Sequence, residues 1–230
     1  MAGIAPNSLD HVALWVADRD MLASFMCDHL GMHEIDRTDK FTLVGADARL
    51  GKLTLFTAEG PRDPGVLERV VLRVSDLEAA LERLPDDLDV QHEDGVATFQ
   101  GPEGLALGLV EGIENGPEYD LDHVVLRVPE PDHTSGELAQ LGFERSNGRL
   151  AVADKHLRLV RADVREGERP LLNHLALLVD SAREPQREAE ARGLDVADVV
   201  DAANTLAVFV WGPDRIKIEY VEHKPGFSLV

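Results

Sequence analysis

At 230 residues, with 44% hydrophobic and 29% charged side chains, the chain has the makeup of a folded globular protein. Its formal net charge of −20 repels phosphate backbones and anionic lipid surfaces, which excludes nucleic acid and membranes as expected partners. The single cysteine, Cys27, cannot form an internal disulfide, and neither an export signal nor ~20 consecutive apolar residues can be read, so a cytoplasmic protein is expected.

In chain order, the first element is a β-branched run, Leu9 to Val16, followed by a polar turn and an amphipathic helix that ends near Leu30. The alternating runs KFTLVGA and KLTLFTA then read as antiparallel strands. The same plan restarts at Leu67 to Leu84, with Ser75 or Asp76 as helix N-cap, and restarts again at LDHVVLRV, Leu121 to Val128, after a turn-rich join. LAVA and HLRLVRA follow as strands. A fourth unit opens at Leu171 to Gly193, with Asp180 or Ser181 as N-cap and Gly193 as C-cap, and closes on the strands TLAVFVW and IKIEYVE.

These units are copies. LDHVALWV at Leu9 and LDHVVLRV at Leu121 share six of eight residues at an offset of 112, and GPEGLALGLVE at Gly101 aligns with GPDRIKIEYVE at Gly212 at an offset of 111. The repeat predicts an α+β protein of four βαβββ modules in two similar domains, residues 1–116 and 117–230. Each domain is expected to be a cupped mixed sheet with outer helices.

Strand parity places candidate metal ligands. Alternate residues share a face, so His123 lies with Val125 and Arg127, His174 with Ala176 and Leu178, and Glu219 with Lys217 and Val221. Two imidazoles and one carboxylate converging in the C-terminal half would form the 2-His-1-carboxylate set that suits Fe(II), with Mn(II), Zn(II) or Ni(II) as other occupants. In the first half His11 corresponds to His123, but Arg69 stands at the His174 position and Gly108 at the Glu219 position. Metal is therefore not expected there, and His11 reads as a structural remnant.

The segments LDHVVLRV, LNHLALLV and GPDRIKIEYVE resemble the vicinal oxygen chelate superfamily of glyoxalases, bleomycin-resistance proteins and extradiol dioxygenases, and most of all the two-domain type I extradiol dioxygenases. The resemblance implies ring cleavage of a small catechol-like diol that chelates Fe(II), with His156 as the acid–base residue. It also implies a tyrosine where this chain has Phe209, a departure that removes a hydrogen-bond donor. Two alternatives stay open: a non-oxidative glyoxalase-type isomerase, lyase or hydrolase, and a protein that sequesters a small molecule. The expected partners are a small-molecule substrate and further copies of the chain. His223, near the end, reads as solvated but within reach of a pocket rim.

Overall fold

The computed structural model describes residues 4–47, 51–112, 118–164 and 169–225. Each of the four modules begins with a strand and a helix and ends with three strands. The first comprises β1 (Ser8–Val16), α1 (Arg19–His29), β2 (His33–Arg37), β3 (Phe41–Gly45) and β4 (Lys52–Thr57). The second comprises β5 (Leu67–Val74), α2 (Leu77–Glu82), β6 (Gln91–Glu93), β7 (Val96–Gln100) and β8 (Ala106–Glu111). The third comprises β9 (Tyr119–Val128), α3 (Pro131–Ala139), β10 (Glu144–Ser146), β11 (Arg149–Val152) and β12 (Lys155–Arg161). The fourth comprises β13 (Leu172–Leu178), α4 (Arg183–Arg192), β14 (Val196–Asp201), β15 (Thr205–Trp211) and β16 (Lys217–His223).

Local chemistry sets the element ends. The Asp18 and Asp76 carboxylates accept from Met21 N and Ala79 N, capping α1 and α2. The Ala182 N–H at the start of α4 donates instead to Glu222 on β16, so the expected Asp180 or Ser181 cap is replaced by a long-range one. Gly193 ends α4 with φ of 68°, the left-handed conformation in which a side chain is disfavoured. The repeated Gly-Pro motifs form matching 3₁₀ turns ahead of β8 and β16, where Gly101 N donates to Leu105 O and Gly212 N to Ile216 O.

Among the described residues, sixteen strands form two mixed eight-stranded sheets. The first has the order β14-β15-β16-β13-β1-β4-β3-β2 and the second β10-β11-β12-β9-β5-β8-β7-β6. The fold is thus α+β with two similar sheets, but each sheet joins one module from each half of the sequence. Module one pairs with module four through β1 and β13, and module two with module three through β5 and β9, both antiparallel. The expected self-contained halves are corrected in this respect, and the boundary between Gly116 and Pro117 lies outside the described residues. The physical reason is that four near-equivalent first strands can pair in more than one way, and the repeat is silent about which.

The outward parity of each first strand is apolar and fully covered: Val12, Leu14, Val70, Leu72, Val124, Leu126, Leu175 and Leu177 all have 0% exposure and belong to one hydrophobic cluster spanning the four modules. Burying such side chains is the main stabilising term, roughly 2–5 kcal/mol for each Leu lost to Ala. The inner face of each sheet carries the polar and aromatic residues among small apolar ones such as Ala13, Ala176, Val71 and Val125.

Cutting the chain between Gly112 and Glu118 tests the pairing. A fragment of residues 1–112 exposes the unpaired backbone edges of β1 and β5, so it is expected to self-associate when made alone and to recombine with residues 118–230 into a cooperatively melting complex. A monomeric first fragment with its own sharp thermal transition, in sedimentation and melting experiments, would contradict it.

Candidate metal centre

The central pair of each sheet is interrupted by two bulges. In the first sheet Leu9 pairs with Leu177 and His11 with Ala176, leaving Asp10 as the extra residue. Ala13 pairs with His174 and Leu14 with Leu172, leaving Asn173 extra. A bulge turns the extra residue toward the face of its neighbour. Its consequence is local: His11 Nδ1 lies 2.8 Å from Asp10 Oδ2, and His174 Nδ1 lies 3.1 Å from Asn173 Oδ1. Both rings thus spend their Nδ1–H on an acceptor and turn Nε2 into the cup.

The two Nε2 atoms meet 3.2 Å apart, and Glu219 Oε2 on β16 lies 3.2 Å from the first and 2.8 Å from the second. The side chains of His11, His174 and Glu219 are only 12%, 4% and 7% exposed. Three lone pairs therefore face one another in a space nearly free of water. With both Nε2 atoms unprotonated, Glu219 Oε2 is buried beside them with no donor to accept from. A cation at their meeting point would relieve this arrangement, and the donors are of the kind that suits a borderline transition-metal ion.

A proton can stand in for that cation. Burial works against a charged His11, yet the adjacent Asp10 and Glu219 carboxylates hold its proton and raise its pKa to about 9. Burial likewise opposes ionised Glu219, but His174 and His11 outweigh it and hold the carboxyl well below the usual range. Burial lowers the pKa of His174, keeping that ring neutral. Behind His11, Asp10 is fully enclosed and paired with Lys52, whose Nζ lies 2.8 Å from Oδ2 and 2.9 Å from Oδ1. Burial disfavours its charge, but Lys52 and His11 keep the carboxyl ionised.

Aromatic rings wall the same face. Phe209 stands edge-on to His174 with centroids 5.1 Å apart, and Phe56 is 6.1 Å from His174 while touching Trp15 and Phe41 at 5.5 and 5.7 Å. Lys217 Nζ sits over the rings of Phe209 and Trp211 at 5.8 and 5.4 Å. His223 continues that face of β16 and reaches Asp10 Oδ1 at 3.5 Å.

Of the three expected ligands, His174 and Glu219 are brought together and His123 is not. His123 lies on β9 in the second sheet, where its Nδ1 is 2.6 Å from Asp122 and its ring stacks on His156 at 4.7 Å and 14°. The place expected for it is filled by His11, read from sequence as a remnant. Parity assigned each histidine to the correct face, but β13 neighbours β1 and not β9. His156 is likewise remote from the first cup, so it cannot serve as the acid–base residue there. The Asp122, His123 and His156 donors also lie within 4.8 Å of one another. There, however, the carboxylate is spent on His123 Nδ1 and the two rings are stacked. Burial and neighbouring His123 lower the pKa of His156 to about 4.

The family model described as Glyoxalase/Bleomycin resistance protein/Dioxygenase superfamily matches residues 8–220. Among solved structures, a Bacillus subtilis protein described as a candidate dioxygenase superposes with a TM-score of 0.76 at 18% identity, covering 97% of this chain and 87% of that one. Glyoxalase I from Zea mays gives 0.70 at 18% identity, with 94% and 92% covered. The cppA protein of Streptococcus pneumoniae gives 0.66 at 15% identity, with 94% and 98% covered. These likenesses are of fold. No curated protein matches the sequence.

If His11, His174 and Glu219 hold a divalent ion, binding must displace the His11 proton. Affinity is expected to rise by about tenfold per pH unit from pH 6 and level off near pH 9, with about one proton released in calorimetry below that point. Asp10→Asn should weaken binding ~10–100-fold by loosening the His11 ring, and His11→Ala by more. His123→Ala should leave it unchanged. Flat affinity across this range, or a loss with His123→Ala equal to that with His11→Ala, would exclude the assignment.

Proposed function

The chain belongs to this superfamily, and within it we propose a metal-dependent dioxygenase that opens the ring of a small aromatic diol. The observation that carries the reading is a donor set limited to three. On β4, Thr54 pairs with Ala13 as Glu219 pairs with Ala176, so the place of a fourth donor holds no imidazole or carboxylate, and Lys52 beside it is committed to Asp10. His11, His174 and Glu219 would thus occupy one face of an ion and leave the opposite face to substrate and dioxygen, an arrangement that suits Fe(II) ahead of Mn(II), Zn(II) or Ni(II). When bound, the ion supplies Lewis acidity toward the diol oxygens and, as Fe(II), electrons for dioxygen.

The remaining chemistry falls to the chain's own residues. Both tryptophans and Phe41, Phe56 and Phe209 lie on the cup face, so an aromatic ring finds stacking partners beside the donors. Phe209 has no hydroxyl to offer a substrate oxygen. Lys217 stands on the same face two residues before Glu219, and its ammonium over Phe209 and Trp211 supplies the missing donor. Burial lowers the Lys217 pKa, which suits a group that must shed its hydration to meet a ligand. His223 takes the role expected of His156: its imidazole accepts a proton from the diol, and Asp10 at 3.5 Å stabilises the resulting charge.

The test is oxygen uptake by protein loaded anaerobically with Fe(II) and mixed with a panel of hydroquinones and catechols. One O2 consumed per ring-opened product is expected. His223→Gln should lower kcat ~10²–10⁴-fold with unchanged metal content, and Lys217→Met should lower turnover ~10²–10³-fold. No uptake with any diol, together with oxygen-independent isomerisation of a hydroxycarbonyl compound by the Ni(II) or Zn(II) protein, would move the assignment to the non-oxidative glyoxalase-type chemistry.

A further inference from the structure

The second sheet repeats the first cup with its chemistry exchanged. Val71 pairs with His123 and with Gly108, as Ala176 pairs with His11 and with Glu219, so strand register alone makes the two cups superposable. By the same register Arg69 takes the position of His174, Thr98 that of Phe209, Ala106 that of Lys217 and Gln100 that of Trp211. Arg127 takes that of Trp15, and each donates its N–H to the corresponding carbonyl, Val66 O and Leu171 O. Smaller residues thus replace Glu219, Phe209 and Lys217, and a cavity of about 520 Å³ opens there, lined by Arg69, Thr98, Gln100, Ala106 and Arg127 among others. This is where the first cup has its aromatic wall beside the donors.

The charges in this cavity are unequal. Arg127 is committed through its Nη2, which donates to Gly65 O and Leu67 O at 3.1 and 3.3 Å, and through an ion pair to Glu68 at 3.4 Å, although its Nε makes no hydrogen bond among the described residues. Arg69 is not committed. Its chain crosses Gly108, with Cδ 3.4 Å from where a Cβ would stand, and its Nε is buried without a hydrogen-bond partner among the described residues. An unsatisfied Nε–H at the wall of a ligand-sized cavity is a donor that a bound anion can meet.

We propose that the cup of the second sheet is a binding site for a small organic carboxylate, held on the Arg69 guanidinium with its carbon body over Thr98 and Ala106, where the first cup has Phe209 and Lys217. A guanidinium presents two parallel N–H donors to a carboxylate, and the volume lies within the range of small-molecule sites. Glu68, Asp87 and Asp89 also border the cavity and disfavour a dianion, which selects a singly charged carboxylate over phosphate. The site does not depend on how the metal cup is used.

Calorimetry of the metal-loaded protein with benzoate, benzamide and inorganic phosphate tests this. Benzoate is expected to bind at millimolar or tighter affinity, with benzamide and phosphate at least about tenfold weaker. Arg69→Gln should weaken benzoate at least about tenfold. Thr98→Phe, which restores the residue that closes the same place in the first cup, should abolish binding with metal content and melting temperature unchanged. Absence of benzoate binding, equal binding of benzamide, or a benzoate signal lost in Glu219→Ala but kept in both Arg69→Gln and Thr98→Phe would overturn the proposal, the last outcome placing the carboxylate on the metal.

Discussion

The antiparallel pairing of β1 with β13 is the constraint on which the metal centre depends. These strands come from opposite ends of the chain, and only their shared register sets His11 diagonally across from His174 with the two Nε2 atoms 3.2 Å apart. Glu219 enters from β16, the parallel neighbour of β13. A site assembled from the first and last modules exists only when the whole chain is folded, because neither half holds all three donors. The closure entropy of so long a loop is offset by the apolar faces that the same pairing buries.

The pairing would be of little use without the bulges. A regular ladder sends neighbouring side chains to opposite faces, which would turn Asp10 and Asn173 away from the rings that follow them. One extra residue in each strand puts an acceptor against Nδ1, fixes the ring and its proton, and leaves Nε2 free. The buried Lys52–Asp10 pair extends this support one layer deeper. The counterparts Glu68 and Asp122 in the second sheet mark the bulge as a property of the module and not of the metal.

One scaffold therefore carries two differently built cups. In the first, large aromatic and charged residues converge on three donors. In the second, Arg69 and Gly108 break that set, and the volume that Phe209 and Lys217 fill in the other cup becomes open space at Thr98 and Ala106. Function resides in these few inward positions, while the outward parity, which builds the core, stays apolar in all four modules.

The sequence by itself determined the four βαβββ modules, the strand faces, the inward placement of His174 and Glu219, and the mismatch at Arg69, Gly108 and Phe209. Each of these rests on local information: periodicity, turn chemistry, or a repeat offset. Only the tertiary structure decided that His11 and not His123 completes the cluster, that His156 faces the other cup, and that His223 and Lys217 flank the donors. The reason is physical. Near-identical first strands have near-identical edges, so LDHVALWV and LDHVVLRV are equally able to pair with the fourth module as far as local pattern goes, and the choice is made by the packing of all four modules into one core.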